Sequence, residues 1–217
     1  MRTLIVTASS KTKRKDNLTF TKPSTTFAES ISDKNRQELL TSRSTLLEEF
    51  GFVKGPDTHF NIKPASEKEY LPAYSRYKGR TFSKVSEDAW NSLISNKDID
   101  CVILSAYYGL IRYDEPIKNY DIKQVTKMPS GPAIGTFWKN AGAENWLFDY
   151  IEQKKFDDVK FVLSTSYSDI IGRDNLMNRL KNELDIQSED KQFKHGGGMK
   201  SMTLRGQYIN DLLLNKL

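Results

Sequence analysis

The 217-residue sequence has one cysteine, two histidines and no long apolar run. With Cys101 alone, no disulfide can form within the chain, which fits a reducing compartment. Cys101 stands in the run Cys101–Leu104 and reads as a small core residue, with a catalytic thiol as the alternative. His59 and His195 are far apart and have no cysteine or second histidine at ligand spacing. No zinc site and no cofactor is expected from such a set, and the two histidines and scattered carboxylates form no recognisable ligand spacing for iron. The apolar runs stop well short of the roughly 18 residues that span a bilayer. The opening segment Met1–Ser9 holds only Leu4–Val6 as an apolar stretch, and lysines follow at once, so it reads as a strand rather than a secretion signal. A cytoplasmic protein without a membrane partner is expected. No fixed-period repeat and no Pro/Ser/Gly linker divides the chain.

What is present in excess is positive charge. Lys and Arg number 33 against 28 Asp and Glu, for a net charge of +5 and a pI near 9.1. That balance suits a nucleic acid or another polyanion, and suits a basic soluble protein equally well. The length favours one domain over residues 1–217. Three short apolar runs, Leu4–Val6, Cys101–Leu104 and Val159–Leu163, read as strands buried on both faces. Between them, residues 34–50, 86–95 and 136–153 carry apolar residues at helical spacing, and residues 204–217 predict a last helix. Ser86 and the acidic residues after it mark a helix start. Strands alternating with helices predict an α/β fold: a central, mostly parallel sheet flanked by helices, compact, with long loop insertions at 51–80 and 114–135.

Each apolar run ends in hydroxyls. The exits are Thr7–Lys13, with Ser9, Lys11 and Thr12; Ser105–Gly109, with Tyr107 and Tyr108; and Ser164–Asp169, with Ser166 and Tyr167. Ligands of open α/β sheets bind beyond the carboxyl ends of parallel strands. If the three strands are neighbours, their exits meet, and hydroxyls with free backbone N–H groups can hold a phosphate or carboxylate. Each exit could instead simply cap the helix that follows. Gly109 permits a sharp turn. Tyr107 and Tyr108 suit stacking on a base or packing in the core, with packing favoured for one of the pair. Arg112 suits a bidentate anion or an ion pair with Asp114 or Glu115. Asp121, after Tyr120, is the carboxylate nominated for proton transfer if the protein is catalytic, with a turn role as the alternative.

Three basic stretches stand apart in sequence. Lys11, Lys13, Arg14 and Lys15 form one, with Lys22 nearby. Arg76, Lys78, Arg80 and Lys84, interleaved with Tyr74, Tyr77 and Phe82, form a second and resemble a single-strand surface. The third holds Lys191, Lys194, His195, Lys200 and Arg205 around Gly196–Gly198. That glycine run lacks P-loop spacing and reads as a turn before the last helix.

The order of these pieces resembles the peroxide stress resistance protein YaaA family. The family's Ser-Pro-(Ser/Ala)-Lys-Thr after an opening strand is similar to Ala8-Ser9-Ser10-Lys11-Thr12, without the proline. Its central motif resembles Ser105 to Ile122, with Tyr108-Gly109-Leu110, Arg112, Ile117 and Tyr120 in order; Tyr113 stands for a proline and Asp121 for an arginine. Lys78-Gly79, Phe137-Trp138, Leu163–Tyr167 and Met202–Ile209 match further segments. The resemblance implies a cytoplasmic α/β protein that binds DNA and helps to limit free iron in peroxide stress. It also implies a helix-hairpin-helix-like element, for which the Lys78-Gly79 turn is the candidate. A fainter likeness to domains of modified-guanine tRNA enzymes, which resemble uracil-DNA-glycosylase folds, implies a crevice for a flipped base. Three readings stand: a nucleic-acid binder, DNA before RNA, using Ser9, Lys11, Thr12, Lys78, Arg80, Ser105, Tyr107, Tyr108, Gly109, Arg112, Tyr120, Ser166, Tyr167, Lys200 and Arg205; a base-acting enzyme using Asp121; and a small-molecule-binding domain.

Overall fold

Strand β1 (Thr3–Ala8) is the apolar opening run, and its four middle residues are buried. It pairs in parallel with β3 (Ile99–Ser105) on one side and with β6 (Asp158–Val162) on the other. The three sequence-predicted strands are thus neighbours, and their carboxyl ends share one edge. This computed structural model describes residues 1–15, 25–50, 70–193 and 197–216. Lys22, His59, Lys194, His195 and Gly196, together with the 51–69 part of the first insertion, lie outside the described residues.

Two more strands complete the sheet. β4 (Gly109–Arg112) is antiparallel to β3, and β7 (Gln187–Asp190) is parallel to β6. The order is β4-β3-β1-β6-β7. A separate antiparallel pair joins β2 (Tyr70–Pro72) to β5 (Pro116–Lys118).

Helices cover both faces, as continuous burial of the strands requires. One group holds α1 (Asp33–Phe50), α4 (Ile134–Ala141), α5 (Ala143–Lys154) and α7 (Arg173–Leu184), with the short α6 (Thr165–Ile170) beside α4 and α7. The other holds α3 (Glu87–Ser95) and α8 (Gly197–Leu213). A one-turn α2 (Ala73–Arg76) follows β2. Ser86 caps α3 by accepting a hydrogen bond from the Ala89 N–H, as the sequence predicts.

The single helix predicted over 136–153 is two. Gly142 takes a left-handed conformation, φ +115°, and its N–H closes α4 onto Lys139 and Trp138 carbonyls. The apolar spacing runs on across this break because α4 and α5 bury one continuous layer, Trp138, Trp146, Leu147, Tyr150 and Ile151. The last helix, in contrast, starts earlier than its periodicity suggests, and Gly197 and Gly198 belong to its first turn.

Candidate functional site

The exit of β1 is held by backbone. Ser9 N–H donates to the Leu104 carbonyl at 3.0 Å, Lys78 N–H to Thr12 at 2.8 Å and Arg14 N–H to Arg76 at 2.7 Å. Lys13 and Tyr77 form an isolated antiparallel bridge. The Arg76 guanidinium, buried, donates back to the Arg14 carbonyl at 2.6 Å. Two basic stretches separated by some sixty residues in sequence are therefore zipped into one. The approach is close at Gly79, where a Cβ would stand 1.9 Å from Ser10 Oγ. Helix α8 closes on the same turn: a Cβ on Gly206 would lie 2.1 Å from the Thr81 carbonyl oxygen, and Thr81 Oγ1 donates to the Met202 carbonyl at 3.1 Å.

Between these walls lies a cleft of about 410 Å³ beyond the carboxyl ends of β1 and β6. The first exit contributes Ser9, Ser10, Lys11 and Thr12, the turn contributes Arg80, the third exit Tyr167, and α8 Arg205. No Asp or Glu stands among its described lining residues. No ion pair involves Lys11, Arg80 or Arg205 among the described residues. Burial pulls the Arg205 guanidinium below its ordinary value, with Asp190 opposing.

Beneath the cleft runs a chain of hydroxyls. Ser9 Oγ and Tyr167 Oη are 3.4 Å apart. Tyr120 Oη meets Ser105 Oγ at 2.8 Å and Tyr77 Oη at 2.7 Å, and Tyr77 donates to Ser105 at 3.2 Å. Burial pushes Tyr120 up to about 12, while hydrogen bonds from Ser105, Tyr77 and Ser9 oppose it. Tyr77 is likewise raised by burial. These phenols stay neutral at physiological pH and can pass protons only between hydroxyls.

Lys13, named in the sequence only as part of a basic run, sits on this network. Its Nζ is 3.8 Å from the Tyr120 ring centroid and donates to the Lys11 carbonyl at 3.3 Å. Burial lowers Lys13 to about 8; the Asp121 carboxylate opposes the shift and Arg76 adds to it. Its positive charge is therefore present below pH 8 and lost above. NMR titration of ¹³C-methylated lysines is expected to find Lys13 near this value, and Asp121→Asn, which removes the opposing carboxylate, to lower it further. A midpoint at the ordinary 10.5 would refute the placement. Nothing in the sequence beyond its basic neighbours marks Lys13, because its shift comes from burial and from Arg76, which only the fold brings beside it.

Several expected residues stand elsewhere. The second exit closes as a tight hairpin, Ser105 opposite Gly109, instead of opening as a loop. Gly109 takes φ +69°, and a Cβ there would stand 3.1 Å from the Trp138 ring. Tyr107 and Tyr108 are 4% and 1% exposed, so both pack and neither offers a face for stacking a base. They pack edge-on against each other at 5.0 Å and both contact the Tyr120 ring. Ser105 is buried too, and accepts from the Tyr108 N–H.

Arg112 lies away from the exit, paired in register with Val102 at the middle of β3. It is bound to Asp100 and Asp114, each at 3.1 Å. Burial pulls its guanidinium down, but Asp100, Tyr150 and Asp114 more than offset this and hold it charged. It is an ion-pair arginine of the sheet, the second of the two roles its sequence left open. Asp121 is exposed and is not among the cleft-lining residues. Ser166 is exposed and accepts from Gln124 Nε2 at 3.4 Å near the rim. Lys78 and Lys200 are exposed, the latter on the first turns of α8. Cys101 is buried in β3 and its thiol is pushed up by burial. No cluster of His, Cys, Asp and Glu among the described residues is arranged to hold a metal ion. Among them, too, no helix is long and apolar enough to cross a membrane.

The fold and cleft define an α/β protein with a hydroxyl-rich, basic crevice at the carboxyl edge of its parallel strands. A family model described as peroxide stress protein YaaA matches residues 1–217, and the chain belongs to that family. A comparison with curated proteins finds no match.

Proposed function

We propose that the protein binds nucleic acid, DNA before RNA, in the cytoplasm as part of the response to peroxide. One observation carries this reading: Lys11, Arg80 and Arg205 surround one cleft with no carboxylate among its described lining residues. Cations gathered without counter-charge repel one another and leave a standing positive potential, which a phosphate backbone relieves. Lys78, exposed on the same turn as Arg80, extends that potential beyond the rim. The membership in a peroxide stress family supports the setting.

Affinity for DNA is expected to fall steeply with salt. Each phosphate contact removed flattens the log-affinity against log-salt slope by about 0.9 for duplex and about 0.7 for single strands. Replacing Lys78 and Arg80 together by Ala is expected to flatten it by the sum for two contacts, measured by fluorescence anisotropy over a salt series. An unchanged slope would remove that turn from the interface, and no binding at low salt would end the reading.

A further inference from the structure

We propose that the cleft holds a single unpaired nucleotide unit, with its phosphate on the fork of Arg205. The inference rests on the nucleic-acid reading above and names what enters the site.

Two cavities of similar size make the contrast. One, of about 440 Å³, lies against the other end of β1 and β6 beside α8. Its cations are spoken for: Lys160 meets Asp158 at 3.2 Å and Glu189 at 3.3 Å, and Lys191 meets Glu189 at 3.3 Å. Both lysines of that cavity are thus matched by carboxylates in its own lining. The cleft is the reverse case. Arg205 Nε is buried and has no hydrogen-bond partner among the described residues. The carboxylate that acts on it, Asp190, is already engaged by Arg173 at 2.5 Å and by Gln192 at 2.7 and 2.8 Å. A buried donor without an acceptor costs about 1–3 kcal/mol, which a bound acceptor would recover.

The chemistry of the missing acceptor follows from its surroundings. A guanidinium with unused donors fits the planar, bidentate face of a phosphate better than a single oxygen. Lys11 on the β1 exit and Arg80 on the facing turn supply further positive charge for the same group or its neighbour along a strand. Ser9, Ser10, Thr12 and Tyr167 can each donate and accept, as the sugar hydroxyls and base edges of a nucleotide require. Phe82, also in the lining, adds an apolar surface. Size sets the limit. At about 410 Å³ the cleft is near the lower end of the ~300–1,000 Å³ range of small-ligand sites. A base-paired duplex cannot enter it, whereas one nucleotide can, either free or as an unpaired unit of a strand.

Calorimetry and competition anisotropy on the full chain separate the outcomes. The probes are a deoxynucleoside monophosphate, the matching nucleoside, a single-stranded oligonucleotide and a blunt-ended, fully paired two-strand duplex. The monophosphate is expected to bind and to displace the single strand but not the duplex, with the nucleoside roughly tenfold or more weaker. Arg205→Ala is expected to lose roughly tenfold to a hundredfold for the monophosphate, and Arg205→Lys to recover part of the loss. Unchanged melting temperatures of both variants guard against a folding effect. Single-strand binding that the monophosphate does not displace and Arg205→Ala does not weaken overturns the inference and leaves the nucleic-acid reading standing. Monophosphate binding lost in Arg205→Ala, with no oligonucleotide bound, upholds the pocket for free nucleotide and overturns the nucleic-acid reading. Binding of none of the four probes overturns both.

Discussion

Gly206→Ala is expected to melt well below the parent, although alanine is the better helix former by about 1 kcal/mol. Gly206 sits inside α8 where the helix lies on the Thr81–Lys84 turn. Its new Cβ would stand 2.1 Å from the Thr81 carbonyl oxygen, 2.8 Å from Lys84 Cβ and 2.9 Å from Thr81 C. Most of these are backbone atoms, so no rotamer change relieves the clash. The helix must move, and its contacts move with it. Asn210 Oδ1 accepts from Ser86 N at 3.0 Å and Oγ at 2.9 Å, while Ile209 and Leu213 are fully packed. Overpacking costs typically 1–3 kcal/mol, and a backbone-limited site belongs at or above the upper end. For a chain of this size, about 3 kcal/mol corresponds to roughly 6–12 °C in Tm. A circular dichroism melt coincident with the parent would show that the wall is not built this way. Because α8 also carries Arg205, the same variant is expected to weaken phosphate binding.

The second large effect is a pH dependence of stability centred on Glu115. This carboxylate is fully buried in the turn between β4 and β5. Its Oε1 accepts from the Phe27 and Arg112 backbone N–H groups, the latter at 3.0 Å. Burial raises its pKa from 4.5 to about 7, with Arg43 and the two N–H groups opposing. The folded chain therefore binds this proton more tightly than the unfolded chain. Between pH 4.5 and 7 the native state holds more protons, so the free energy of unfolding falls as pH rises. The stability associated with the protonated group is complete below about 4.5 and is gone above about 7. A shift of this size corresponds to about 3 kcal/mol. Glu115→Gln has no proton to lose. Urea unfolding at pH 5 and pH 8 is expected to show the variant gaining on the parent by about that amount as pH rises. A constant difference between the two chains would refute the shift.

Three of the five strands of the sheet, β1, β3 and β6, were legible because they are short, apolar runs, whereas β7 is polar and only partly buried and carries no such signal. The helix at 34–50 and the Ser86 cap were legible for a similar reason, since periodicity and capping are local. The break at Gly142 was hidden by the apolar spacing, which continues across two helices that bury one layer. Tyr107 and Tyr108 misled in the opposite direction. Their place after a parallel strand suggested an open crevice, but the Ser105–Gly109 pairing turns the chain back and drives both rings inward. Arg112 carried two chemistries equally well in sequence. Asp100, twelve residues earlier and brought beside it by the β3–β4 register, decided between them.

From the sequence by itself came the α/β class, the hydroxyl-rich exits of the apolar runs and the excess of basic charge. These rest on residue type and short-range order, which are properties of a linear chain. Which cations stand free was decided only by the tertiary structure. Lys160, Lys191, Arg112 and Arg173 are neutralised by carboxylates that folding sets beside them, whereas Lys11, Arg80 and Arg205 converge on a cleft where no described carboxylate meets them. Charge pairing is a matter of distance in space, and a one-dimensional pattern holds no record of it.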